Sequence, residues 1–231
     1  MIEREDTGFP IVVIVKILSI ALLPLLSILL AACSDMEVPL PGQRKALFRD
    51  EFVLGHTGAW ALESDETGSS IIVPEQLMIE LNAPNLVQYS KLIEPTFSDF
   101  SLEVDARLAG GSPTSTFGVM FRIQNPDEFY RFEITADGMY ILERHDANGS
   151  WVRHTDDWLD TTAINQGVEA TNRLKVVADG DRITIFVNDI LLEEVTDDAY
   201  PSGNIALDVG TFDGSGARVS FDNLIVLPPG G

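Results

Sequence analysis

The chain has 231 residues, 45% of them hydrophobic, a formal net charge of -21 and a single cysteine. Such an acidic surface repels DNA, RNA and anionic lipid headgroups, so no nucleic acid is expected as a partner. One cysteine excludes an intrachain disulfide and a Cys-built zinc site, and His56, His145 and His154 show no paired helical spacing for a His-built one.

Residues 17–32, ILSIALLPLLSILLAA, follow Lys16 and form an apolar run that ends in small residues. A charge, an apolar stretch and small residues before a cut are the parts of a secretory signal. The run closes on Leu30-Ala31-Ala32-Cys33, which resembles a lipobox and falls on the only cysteine. The expectation is a cleaved signal helix over 1–32 and acylation of the Cys33 thiol. Residues 33–47, with two prolines, would then form a short tether. Two or more acyl chains, each giving about 0.8 kcal/mol per buried methylene, make a stable membrane anchor. This implies an exported domain held outside the cytoplasm at a bacterial cell envelope. The competing reading is a transmembrane anchor, because counting back to Ile11 lengthens the run past the ~20 residues that span a bilayer.

From Phe48 to Leu227 the sequence predicts strands and no helix, with a tail over 228–231. In Ser101–Leu108, Leu102, Val104, Ala106 and Leu108 alternate with Ser101, Glu103, Asp105 and Arg107. In Thr116–His145, a loop at Asn125–Glu128 pairs Phe121 with Phe132, Ile123 with Tyr130 and Val119 with Ile134. A second loop, Ala136-Asp137-Gly138, pairs Ile134 with Tyr140 and Phe132 with Leu142. One face is then apolar and aromatic. The other carries Met120, Arg122, Arg131, Glu133, Ile141 and Glu143, with Arg131 opposite Glu143 and beside Arg122. Asn148-Gly149-Ser150 reads as a turn.

In Thr171–Thr196, a turn at Asp179-Gly180 pairs Val176 with Ile183 and Leu174 with Ile185. A second turn at Asn188-Asp189 sets Val187 beside Ile190 and Ile185 beside Leu192. Gly203–Thr211 and Ala217–Val226 add closing strands. About thirteen strands exceed what one open sheet comfortably holds. The expected fold is therefore all-β, a two-sheet antiparallel jelly-roll sandwich.

LFRDEF followed by Trp60, then FSDFSLEVDARL, FGVMFRIQNPDEFYRFEI, DGMYILER, TNRLKVVADGDRITIFVND and VSFDNLIV, resemble the concanavalin A-like, laminin-G-like jelly roll. They are most similar to its bacterial 3-keto-disaccharide hydrolase branch, over Phe48 to Val226. That resemblance implies carbohydrate binding, carbohydrate cleavage or adhesion, without choosing among them. Glu103-Val104-Asp105 resembles half of the family 16 glycoside hydrolase motif. The second glutamate is missing, and retaining hydrolysis needs two carboxyls about 5–5.5 Å apart.

The main expectation is a non-catalytic module that binds a glycan or an extracellular partner. Its candidate ligand residues are Arg122, Arg131, Glu133 and Glu143, with Trp151 and Trp158 as stacking rings. The alternative is a hydrolase or lyase acting on 3-keto-sugars or disaccharides, which would gather two or more buried carboxylates. Tyr130, Phe132 and Tyr140 are assigned to the core. By resemblance, Asp50 and Asp222 are candidate ligands of a structural calcium, an ion that wants six or more oxygens.

Overall fold

The computed structural model describes residues 44–54, 59–212, 214 and 216–230. The signal segment, Cys33 and most of the tether lie outside these residues. Fifteen strands follow one another, with no helix among the described residues: β1 Phe48–Asp50, β2 Gly68–Val73, β3 Gln76–Leu81, β4 Val87–Lys91, β5 Phe100–Gly110, β6 Thr116–Asn125, β7 Glu128–Thr135, β8 Met139–His145, β9 Trp151–Arg153, β10 Leu159–Asp160, β11 Thr171–Asp179, β12 Arg182–Val187, β13 Ile190–Thr196, β14 Asn204–Gly210 and β15 Ala217–Leu227. They form two antiparallel sheets. The back sheet runs β13-β12-β11-β5-β15-β3-β2, with β1 also on β15. The front sheet runs β10-β8-β7-β6-β14-β4, with β9 also on β8. β9 and β10 bring the strand total above the expected thirteen; β9 starts at Trp151 and β10 follows Trp158, at either end of the segment read as a loop.

Alternation dictates the core. Leu102, Val104, Ala106 and Leu108 of β5 are wholly buried, as are Phe117, Val119, Phe121, Phe132 and Leu142 from the front sheet. Each of the leucine, valine and phenylalanine side chains contributes roughly 1.5–3 kcal/mol when removed from water. Phe121 stacks on Tyr130 at 5.3 Å between ring centres and meets Phe100 of the back sheet edge-on at 6.3 Å. Phe121 and Phe132 therefore share the inner face.

Several pairings differ from the sequence register by two residues, a slip that keeps each side chain on its own face. In β11–β12 the turn is Gly180-Asp181, so Val176 pairs with Ile185 and Leu174 with Val187. The Asn188-Asp189 turn falls as expected, with both residues at positive φ and Val187 opposite Ile190. A bulge at Ile185/Phe186 then sets Ile185 against Glu193 in place of Leu192. Phe132 pairs with Leu142 and Ile134 with Tyr140, as expected.

The β6–β7 hairpin differs more. Asn125 opposes Glu128, but a bulge between Phe121 and Asn125 sets Phe121 against Tyr130, Val119 against Phe132 and Phe117 against Ile134. Arg122, within the bulge, has φ 49° and points inward behind Phe121. Ile123 turns outward to join Met120, Phe129 and Ala206 in a small cluster on the outer face of the front sheet.

Candidate functional site

The outer face of the front sheet carries the side chains left over once the core has taken its half of β6, β7, β8 and β14. Cross-strand pairing arranges them in rows. Asp208 of β14 faces Gly118 of β6, which faces Glu133 of β7, which faces Ile141 of β8. In the next row Arg131 of β7 faces Glu143 of β8, which faces Arg153 of β9. A further row brings Trp151 beside His145 and Phe129. These rows floor and wall a cavity of about 320 Å³. Thr116, Arg131, Glu133, Ile141 and Glu143 lie below, and Val87, Trp151, Arg153, Trp158 and Thr211-Phe212 stand around it.

The floor is a dense ionic cluster. Arg131 Nε lies 3.2 Å from Glu133 Oε2 and 3.2 Å from Glu143 Oε1, and its Nη2 donates to the same Glu143 oxygen. Thr116 Oγ1 donates to Glu133 Oε1 at 2.7 Å. Burial alone would weaken the Arg131 charge, but Glu133, Asp208 and Glu143 outweigh it and hold its pKa above the ordinary value. The Arg131 guanidinium carbon also sits 4.5 Å from the centre of the Trp151 ring, a cation–π contact. Trp151 keeps 43% of its surface exposed, so the ring forms a wall without being sealed into the core.

Asp208 is the least expected member. It is wholly buried, and neither carboxylate oxygen has a donor among the described residues. Burial first, and the nearby Glu133 and Glu143 charges after it, push its pKa well up despite Arg131. Gly118 stands between Asp208 and Glu133 in the row, and no side chain fits there, because a Cβ would lie 2.0 Å from the Phe132 carbonyl oxygen.

The loop after β9 is tied down from inside. His154 Nε2 lies 3.1 Å from Asp197 Oδ2, Tyr130 donates its hydroxyl to Asp197 Oδ1 at 2.6 Å, and Arg144 pairs with the same carboxylate. This knot joins the end of β13 to β7 and β8 and fixes the segment between Trp151 and Trp158.

Of the residues singled out from sequence, Arg131, Glu133, Glu143, Trp151 and Trp158 converge on the cavity. Arg122 does not, and its expected place beside Arg131 is corrected. The bulge turns it into the sandwich, where it is wholly buried and donates to the carbonyls of Ser98 and Gly180. Glu103 and Asp105 lie on the outer face of the back sheet. There Lys175 binds Glu103 at 3.0 Å and Arg173 binds Asp105 at 2.8 Å. Asp50 accepts from the Phe52 amide and the Trp60 indole, and Asp222 accepts from the Asn223 amide. No group of three or more His, Cys, Asp or Glu side chains that could hold a metal ion occurs among the described residues. Sequence reading missed Asp208 and Thr116. Both read as ordinary outward polar residues of strands, and only the long-range β14–β6 pairing reveals what they meet.

The two-sheet sandwich with its polar outer face is that of the concanavalin A-like jelly rolls. Residues 60–227 match the 3-keto-alpha-glucoside-1,2-lyase-like domain model, and the chain belongs to that family. No curated protein matches the sequence significantly. Among solved structures, a carbohydrate-binding module, CBM66, from Bacillus subtilis is 19% identical, with a TM-score of 0.57 over 73% of this chain and 95% of that one. A Bacillus subtilis protein of unknown function with a galectin-like fold is 12% identical, with a TM-score of 0.61 over 80% and 97% of the two chains. The laminarinase catalytic domain from Thermotoga maritima is 12% identical, with a TM-score of 0.60 over 82% and 100%. At these identities the likeness is one of fold.

Proposed function

We propose that the protein is an exported lipoprotein, anchored through Cys33, whose front-sheet cavity holds a saccharide. The observation that carries this reading is the pairing of a half-exposed Trp151 ring with a floor of oriented charged groups. A pyranose presents an apolar face for stacking and a rim of hydroxyls that donate to carboxylates and accept from guanidinium. At about 320 Å³ the cavity is at the small end of ligand sites, a size for one sugar unit. The family match and the carbohydrate-binding and glucan-cleaving proteins that share the fold support the same ligand class. Screening the full chain, purified in detergent, against a glycan array with glucosides and 3-keto-glucosides tests it. Binding to none of them would remove the reading.

A second reading, cleavage of a 3-keto-sugar, is favoured by one specific observation. The wholly buried Asp208, without a donor on either oxygen and in one cluster with the buried Glu133 and Glu143, exceeds what binding a sugar hydroxyl requires.

A further inference from the structure

We propose that the front-sheet cavity selects cationic sugars, and that its ligand is an amino sugar whose ammonium group meets Glu143 while its ring packs on Trp151. The inference rests on the saccharide reading above and names the class of sugar.

The cavity is one positive charge short. Glu133 and Glu143 line it, and Arg131 is the cation they share. One guanidinium between two carboxylates leaves one negative charge unmatched. Arg153 stands opposite Glu143 in the strand pairing, yet its guanidinium reaches Asp157 at 3.0 Å, and half of its side chain is exposed. Asp208 is a third carboxyl in the same row, wholly buried and with no donor on either oxygen. It brings no cation with it. Glu133 and Glu143 are themselves nearly covered, so the imbalance counts for more than it would among solvated surface charges.

Donors are short as well as charge. Thr116 and Arg131 supply both oxygens of Glu133. Both Arg131 contacts to Glu143 fall on Oε1, and Oε2 receives no hydrogen bond among the described residues. An ammonium group carries a full positive charge and three N–H donors, whereas a sugar hydroxyl carries one donor and no charge. The walls suit the same ligand. Trp151 already holds the Arg131 guanidinium 4.5 Å from its ring centre, and Trp158 and Phe212 add two more rings. Carboxylates set among aromatic rings are the chemistry that binds organic cations. The same charges turn anionic sugars away: a uronate would bring another carboxylate toward Glu133 and Glu143, in a chain of net charge -21.

The test is isothermal titration of the full chain, in detergent at neutral pH and low salt, with four methyl glycosides: the glucoside, the glucosaminide, the N-acetylglucosaminide and the glucuronide. The glucosaminide should bind at least about 10-fold tighter than the glucoside, the scale of one charge-assisted hydrogen bond. Acetylation removes the charge and should remove the advantage, and the glucuronide should bind weakest. Added salt should shrink the advantage. Glu143→Gln keeps the shape and loses the charge, so it should bring the glucosaminide within about 3-fold of the glucoside. Equal affinities for glucosaminide and glucoside in wild type, or a tighter glucuronide, would overturn the cationic preference and leave saccharide binding standing. A preference that survives Glu143→Gln would put the ammonium group elsewhere and overturn the site. If that variant fails to fold, Trp151→Ala decides the site instead, and an unchanged glucosaminide affinity there would overturn it. Binding of none of the four, while other glycans on the array bind, would overturn this inference alone. Binding of nothing in either experiment would overturn the saccharide reading itself.

Discussion

Asp208 and Glu133 flank Gly118 in one cross-strand row, so an acid from β14 meets an acid from β7 above a strand that places no side chain between them. The arrangement is costly in isolation. Burying a carboxyl without donors raises its pKa, and burying three near one guanidinium leaves negative charge incompletely matched. Core packing beneath the row, through Phe117, Val119, Phe132 and Leu207, supplies the stability that tolerates it.

Asp208→Asn should stabilise the fold increasingly as pH rises. The folded pKa of Asp208 lies above its ordinary 3.8, so its favourable contribution is complete below that value and is lost on rising toward the folded pKa. Asparagine has no such loss. The gain should therefore be small near pH 4 and grow by up to about 1.4 kcal/mol per pH unit above it. Urea melts of both proteins across pH check this; a constant difference would show an ordinary, ionised Asp208.

Arg131→Met should destabilise by about 3–5 kcal/mol, because Glu133 and Glu143 would remain buried without their cation. Thermal unfolding at neutral pH measures it.

Arg122→Met should cost about 1–3 kcal/mol through the carbonyls of Ser98 and Gly180 left without a donor. Its effect on glycan affinity should be negligible, because the side chain lies inside the sandwich, away from the cavity. An affinity loss without a matching stability loss would return Arg122 to the site.

Cys33→Ser should abolish incorporation of labelled palmitate in bacteria expressing the chain, and release the protein from the membrane fraction. Retention of the label would place the acyl group elsewhere.

The inner face was legible from the sequence because strand parity survives errors of register. A two-residue slip in β11–β12 or β6–β7 returns Val176 and Phe121 to the core all the same. Arg131 opposite Glu143 was legible because a three-residue loop with Gly138 at positive φ fixes the short β7–β8 hairpin. Arg122 was misplaced because a backbone flip at one residue breaks the alternation, and an arginine gives no local sign of it. Asp208 was illegible for another reason: its partner belongs to a strand 75 residues earlier, and the glycine that admits it looks like any small strand residue.

Isothermal titration of the glycoside selected on the array into wild type and Trp151→Ala tests the central claim most directly. With 43% of the ring exposed, removing it should leave the melting temperature nearly unchanged and weaken binding by at least about 10-fold. Equal affinity in the two proteins would place the sugar elsewhere and contradict the assignment of this cavity.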